Sequence, residues 1–261
     1  MSVPPLLELR GVTMQLAGLT ALSNVSFTVE AGKIVSLIGP NGAGKTTTFN
    51  VISGYMRPTA GKVLLSGENV VGRSPDAIAA GGLVRTFQRT SVFGQCTVFD
   101  NLLIAFHLQG KAGLLRSLLR TPAFRAEERE LREKASHMLA FLGLGHRADE
   151  RAVNMSYGEQ RLLGVGIGLA AQPKLLLLDE PAAGLNPSET ETFKHTTRRI
   201  SELGVTVLLV EHDMHMVMSI SDHIIVLNHG QLIATGQPHE IQQHPEVIRA
   251  YLGSGVKRAQ A

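Results

Sequence analysis

The sequence predicts an α/β fold: a mixed, largely parallel sheet with an N-terminal antiparallel β portion and an inserted α-helical subdomain. Three observations predict it. Short, partly alternating apolar runs separated by Gly or Asn lie near the N-terminus, at Leu6 to Thr13, Val25 to Glu30 and Lys62 to Ser66. From about Val98 to Leu144 the pattern is helical, with few β-branched residues. The four consecutive leucines from Leu175 to Leu178 have the character of a parallel strand covered on both faces, and Lys33 to Ile38 and Thr206 to Val210 read as further buried strands.

In chain order, the β-rich start leads to the strand Lys33 to Ile38, a glycine-rich loop, and a helix over Thr46 to Ser53. After Arg85-Thr86-Phe87-Gln88 the character becomes helical, carried by Leu102, Leu103, Phe106, Leu114, Leu115, Leu118 and Leu119. Thr121-Pro122 interrupts this region and Gly143-Leu144-Gly145 ends it. The α/β pattern resumes with the four leucines from Leu175, a helix around Pro187 to Leu203, and the strand Thr206 to Val210. Ile224 to Leu227 and Gln231 to Thr235 form a last strand pair joined at His229-Gly230. The tail from Pro238 to Leu252 is expected as helix, and Lys257 to Ala261 as a frayed end. The implied division is 1–87 for the first part of the core, 88–165 for the helical subdomain, and 166–261 for the rest of the core with a C-terminal helix.

With 44% hydrophobic and 18% charged residues the chain is globular, not disordered. A single cysteine, Cys96, excludes an internal disulfide framework and suits a reducing, cytoplasmic setting. Met1-Ser2-Val3-Pro4-Pro5 has no basic region or long apolar stretch, so no secretory signal is expected. No segment reaches the roughly 18 uninterrupted apolar residues of a spanning helix; the run from Leu162 to Ala171 stops at Gln172-Pro173. Net charge is only +3, and the basic residues between Lys111 and Arg132 interleave with Glu127, Glu128 and Glu130. That is a solvated helical face, not a nucleic-acid surface.

The most specific motif is Gly39-Pro40-Asn41-Gly42-Ala43-Gly44-Lys45-Thr46-Thr47, two glycines five apart followed by Lys and Thr, between a buried strand and a helix. Glycines let successive N–H groups turn inward as an anion nest at a helix N-terminus. Lys45 is placed to reach β- and γ-phosphates, and the Thr46 hydroxyl to hold Mg²⁺. The chain is therefore read as binding a nucleoside triphosphate. Asp179-Glu180 ends the four-leucine strand, at the sheet edge where ligands bind in open α/β folds. Asp179 suits the hydration shell of Mg²⁺, and Glu180 suits a general base on the attacking water. Ser156 with Glu159 three residues on is a capping box, and the capped helix start with Gly158 is also an anion site.

The order of phosphate loop, Gln88, Ser156-Tyr157-Gly158-Glu159-Gln160, the strand ending in Asp179-Glu180, and Glu211-His212-Asp213 resembles an ATP-binding cassette (ABC) transporter ATPase subunit over almost the whole chain. The resemblance implies a P-loop NTPase core using ATP and Mg²⁺, in which two cassettes close head-to-tail on two ATP molecules. Ser156 and Gly158 in the signature, with Glu159 beside them, would meet the γ-phosphate of an ATP held by the partner. Gln88 resembles the glutamine that touches Mg²⁺ and the water while sensing the membrane partner. His212 resembles the switch histidine on the γ-phosphate, and Ala183-Gly184-Leu185-Asn186 takes the position of the loop that crosses the dimer interface. Where the family stacks an aromatic ring on adenine, this chain has Leu16, a loss of about 1 kcal/mol of stacking. Asn186 stands where Asp is commoner, and Tyr157 and Glu159 where Gly and Gln are commoner.

Phe87-Gln88-Arg89, the stretch from Asp179 to Pro187, Glu211 to Met214, and the ending Val247 to Gly253 are similar to the branched-chain amino-acid importer ATPases. That group implies a second, different ATPase subunit, two membrane permeases, an external solute-binding protein, and a peripheral position on the cytoplasmic face of the membrane. Urea and amide importers are similar enough to stand as an alternative. A soluble cassette ATPase or a small P-loop kinase is a further alternative. The first of these usually carries two cassettes or a coiled-coil insertion; the second has no use for the Ser156 loop or His212.

Overall fold

The computed structural model describes residues 4–86, 92–108 and 122–256. They form two compact units, one made of the chain through Arg85, Lys174–Ala183 and the chain from Lys194, the other of Thr86–Pro173 and Gly184–Phe193. The strands are β1 (Leu7–Leu16), β2 (Leu19–Val29), β3 (Ile34–Ile38), β4 (Ala60–Leu65), β5 (Glu68–Asn69), β6 (Leu83–Thr86), β7 (Leu175–Asp179), β8 (Thr206–Val210), β9 (His223–Asn228) and β10 (Gln231–Gly236).

The N-terminal strands build a four-stranded antiparallel sheet in the order β2-β1-β4-β5. β1 and β2 are longer than the sequence reading, which stopped at Thr13 and restarted at Val25. The reason is a change of parity: inward residues run Leu7, Leu9 and then Val12, Met14, either side of a bulge at Gly11, whose φ is 59°. A bulge breaks the two-residue alternation on which strand recognition depends. Leu16 pairs with Leu19 across a two-residue turn, Ala17 (φ 47°) and Gly18 (φ 87°), both left-handed as a type I′ hairpin turn requires.

The second sheet has six strands in the order β10-β9-β3-β8-β7-β6. β3 is parallel to β8 and β9, β7 is parallel to β8, and β10 returns antiparallel to β9. Every residue of β3, β7 and β8 is buried, which is why these segments read as mostly apolar runs without polar alternation. The register sets Leu37 and Asp179 both opposite Val210. Gly39, Glu180 and Glu211 therefore leave the sheet along one edge, at the carboxyl ends of the strands.

Helix α1 (Lys45–Ile52) starts from Gly44, whose φ of 101° only glycine adopts without strain. Gly39 is equally constrained, because a Cβ there would lie 2.1 Å from the Leu227 carbonyl oxygen. Helix α2 (Pro75–Ala80) and β6 were not anticipated. α2 is capped by the Ser74 hydroxyl, which accepts from Ala77 N–H at 3.3 Å, and it buries only Ile78. A single inward side chain leaves no periodicity to read.

In the second unit, α3 (Val98–His107), α4 (Pro122–Leu142) and α5 (Tyr157–Ala170) pack together. Gly166 permits their close approach: a Cβ there would meet Leu142 Cδ1 at 2.5 Å and Leu102 Cδ2 at 3.1 Å. Buried Asn101 donates to the carbonyls of Phe93 and Thr97 and accepts from Phe93 N–H, fixing the chain that enters α3. α4 ends as expected at Gly143 (φ 74°), where Leu144 N–H reaches back to Leu139 carbonyl at 2.8 Å. The solvated face of α4 carries the spaced pairs Glu128–Arg132 and Glu130–Lys134.

Helix α6 (Pro187–Glu202) follows β7, and α7 (Met214–Ile220) follows β8. The tail is not the single helix expected from Pro238 to Leu252 but two, α8 (Pro238–Gln243) and α9 (Pro245–Val256). Pro245 cannot continue a preceding helix and restricts His244 to extended backbone, while it is pre-organised to start the next helix. Among the described residues, no helix is long and apolar enough to cross a membrane.

One buried ion pair ties the sheet to α1. Arg85 Nη2 on β6 donates to Asp179 Oδ2 at 2.7 Å, with side chains 8% and 10% exposed. Arg85 Nη1 also donates to Asn50 Oδ1 at 2.7 Å and Ser53 Oγ at 3.3 Å, and the guanidinium lies over the Phe49 ring. Removing one partner leaves a buried charge without compensation. Arg85→Met is expected to cost about 3–5 kcal/mol in urea denaturation, with part of the loss recovered in Arg85→Met/Asp179→Asn.

Candidate functional site

Residues 41–47 line a cavity of about 230 Å³ together with Ala21, Glu180 and His212, all within the first unit. The loop curls because Gly39, Gly42 and Gly44 take φ values of 152°, 79° and 101°. Its N–H groups lead into the N-terminus of α1, where the helix dipole favours an anion. Lys45 is buried, and its Nζ donates to the carbonyls of Gly39 (2.7 Å) and Pro40 (3.1 Å) across the loop. Burial lowers the Lys45 ammonium pKa, while the charges of Glu180 and Asp179 work to raise it.

Glu180 and His212 come from different strand ends and meet: His212 Nε2 lies 2.8 Å from Glu180 Oε1. Glu180 has a left-handed backbone (φ 47°), a conformation unusual for a residue with a side chain and typical of functional turns. Asp179, one residue earlier, is held through Oδ2 by Arg85. Thr46 is exposed at the cavity wall. Thr46 brings a hydroxyl oxygen to the cavity wall and Asp179 a carboxylate to the end of β7, oxygen donors of the kind a hard divalent cation such as Mg²⁺ prefers.

Sequence reasoning gave Glu211 no function of its own. It is only 3% exposed, yet its Oε1 accepts from Ala182 N–H at 2.7 Å and its Oε2 from His212 N–H at 3.0 Å. Burial pushes its carboxyl pKa up; the N–H groups of Ala182, His212 and Asp213 oppose the rise, and the neighbouring Glu180 charge adds to it. One buried carboxylate thus fastens the loop after Glu180 to the loop that carries His212. The only hint in the sequence was a charged residue directly after an apolar strand. Asp213 then caps α7, accepting from the N–H groups of His215 and Met216. Tyr251 on α9 was missed as well. Burial raises its phenol to about 12, against a hydrogen bond from Gly39 N–H that ties the C-terminal helix to the start of the loop.

Ser156, Gly158 and Glu159 belong to the second unit. Ser156 caps α5 in a full capping box: its hydroxyl accepts from Glu159 N–H, and Glu159 Oε2 accepts from Ser156 N–H at 2.8 Å. Glu159 Oε1 is engaged by Arg147 Nε at 3.1 Å, so its carboxylate serves the helix start and an ion pair. The Ser156 hydroxyl and Gly158 N–H both point to Glu189 Oε1, at 2.9 Å and 3.2 Å. Leu16 sits beside the β1–β2 turn, 39% exposed, and Ala21 lines the cavity near the loop. Gln88 lies outside the described residues.

With this geometry in place, known proteins supply the context. Residues 22–183 match the ABC transporter family model, and residues 231–257 match the C-terminal model described as branched-chain amino acid ATP-binding cassette transporter. The chain is 48% identical over 250 residues to the high-affinity branched-chain amino acid transport ATP-binding protein BraF of Pseudomonas aeruginosa, covering 95% of this chain and 98% of that one. It is 47% identical over 253 residues to the corresponding LivG of Escherichia coli, with the same shares covered. Among solved structures, the ADP conformation of MJ1267, an ATP-binding cassette of an ABC transporter, superposes with a TM-score of 0.83 at 31% identity, covering 96% of this chain and all of that one. The chain belongs to the ATP-binding cassette family of ABC transporter ATPases.

Proposed function

We propose that this ATPase powers an importer for branched-chain or related amino acids, as a peripheral subunit on the cytoplasmic side of its permeases and paired with a second, different cassette. The observation that carries the hydrolytic part is the Glu180–His212 contact at 2.8 Å in the wall of the phosphate-loop cavity. The substrate class is supported by near full-length similarity to BraF and LivG and by the matching C-terminal segment; the pairing with a different cassette rests on the resemblance to the branched-chain amino-acid importer ATPases read from the sequence.

ATP enters with its β- and γ-phosphates in the loop, where the N–H groups and Lys45 meet the negative charge. Lys45 already points inward and exchanges the Gly39 and Pro40 carbonyls for phosphate oxygens. Glu180 takes a proton from the attacking water, and His212, touching Glu180, holds that carboxylate and the γ-phosphate in line. Thr46 and Asp179 would hold Mg²⁺, which when bound neutralises charge on the phosphate oxygens; Gln88 would complete the metal and water contacts. Ser156 and Gly158 meet the γ-phosphate of the nucleotide on the paired cassette, so closure requires ATP and opening follows its hydrolysis.

Reconstitution with the permeases and the second cassette tests the substrate class. A binding protein loaded with leucine, isoleucine or valine is expected to stimulate ATP turnover, and stimulation only by a urea- or amide-loaded protein would overturn the assignment. Glu180→Gln should lower turnover by about 100-fold or more while nucleotide titration finds ATP affinity nearly unchanged. Lys45→Ala should act the other way round, weakening ATP binding by about tenfold or more through the lost charge-assisted contacts.

A further inference from the structure

The position of Glu189 has a consequence for how the cassette closes. Its Oε1 collects two hydrogen bonds, from the Ser156 hydroxyl at 2.9 Å and Gly158 N–H at 3.2 Å. Its Oε2 accepts from Asn186 N–H at 3.1 Å, and Glu189 N–H donates to Asn186 Oδ1 at 2.9 Å, a reciprocal cap at the start of α6. One carboxylate therefore bridges the starts of α5 and α6, where the unpaired N–H groups of two helices favour negative charge. Asn186 N–H most of all, then the Ser156 hydroxyl, hold its carboxyl below the usual range against the effect of burial, and Gly158 N–H adds to them. The packing is close: a Cβ on Gly158 would lie 2.6 Å from Glu189 Cδ.

We propose that Glu189 is an internal competitor for the signature loop, its carboxylate occupying the place that the γ-phosphate of the paired cassette's ATP takes on closure, and that it thereby sets the ATP concentration at which the cassettes pair. This rests on the reading above that Ser156 and Gly158 are γ-phosphate contacts. The donors are the limiting resource. A hydroxyl has one hydrogen and a backbone amide has one, so neither serves a carboxylate and a phosphate at full strength together. Two anions on the same pair of donors also repel each other. Closure therefore displaces Glu189 Oε1, and the freed carboxylate keeps its cap on Asn186, in the loop that follows Ala183. ATP arriving at the signature is in this way felt at the start of α6.

The test uses the assembled transporter, with ATP turnover followed against MgATP concentration. Glu189→Gln keeps the shape and removes the charge; it is expected to lower half-saturating ATP about fivefold, the scale of replacing a charge-assisted hydrogen bond by a neutral one. A purely structural cap predicts no such lowering, because a weakened helix start lowers melting temperature and leaves the ATP requirement unchanged or higher. Ser156→Ala separates the two layers of the argument. If Ser156→Ala leaves turnover and its ATP dependence unchanged, the signature reading itself has failed. If Ser156→Ala abolishes turnover while Glu189→Gln leaves half-saturating ATP unchanged or raises it, the competitor role is overturned and the signature reading stands. In the non-hydrolysing Glu180→Gln background, adding Glu189→Gln should likewise shift ATP-dependent cassette pairing to lower nucleotide, read by sedimentation; an unshifted midpoint counts against the competitor.

Discussion

The register of three buried parallel strands is the constraint on which the site depends. Leu37 and Asp179 both lie opposite Val210, so β3, β8 and β7 end at one level. Each strand then delivers its chemistry just beyond that level: the phosphate loop from β3, Glu180 from β7, Glu211-His212 from β8. A slip of one residue in any of them would turn its side chains to the opposite face and move its terminal group by a residue's length. The complete burial of the strands prevents this, since both faces are covered and each residue has a packed position.

Charge at the strand ends is arranged so that few groups stand alone. Asp179 is matched by Arg85, which also grips α1 through Asn50 and Ser53. Lys45 is buried close to Glu180 and Asp179, whose charges offset part of the cost of burying an ammonium. Glu211 is stabilised by N–H groups instead of a counter-ion, and spends its acceptor capacity on joining two loops. Asp179 and Glu211 are thus committed to positioning, while Glu180 meets His212 in the cavity wall.

Much of this was legible in one dimension because the decisive signals are local. β8 was expected over Thr206 to Val210 and is found there; β3 and β7 differ from expectation by one residue at one end, and α1 by one residue at each end. The failures share a cause. The extended β1 and β2 were hidden by a bulge at Gly11 and by a turn built on Ala17-Gly18 in place of a more familiar pair. Helix α2 buries a single side chain, and the break between α8 and α9 depends on one residue, Pro245, inside an otherwise helical tail.

By itself the sequence determined the chemistry of the loop, the order of the stations and the family, because these rest on residue type and spacing along the chain. Tertiary structure alone decided who touches whom. That Glu211 binds the N–H group of Ala182, that Tyr251 reaches Gly39, and that Glu189 lies on Ser156 and Gly158 all join residues about thirty to about two hundred positions apart. The physical reason is that a hydrogen bond acts over about 3 Å, a distance fixed by strand register and helix packing, neither of which is written in any single segment. The glycine-rich loop states that phosphate will be bound; only the folded chain shows which carboxylates surround it and which donors are already taken.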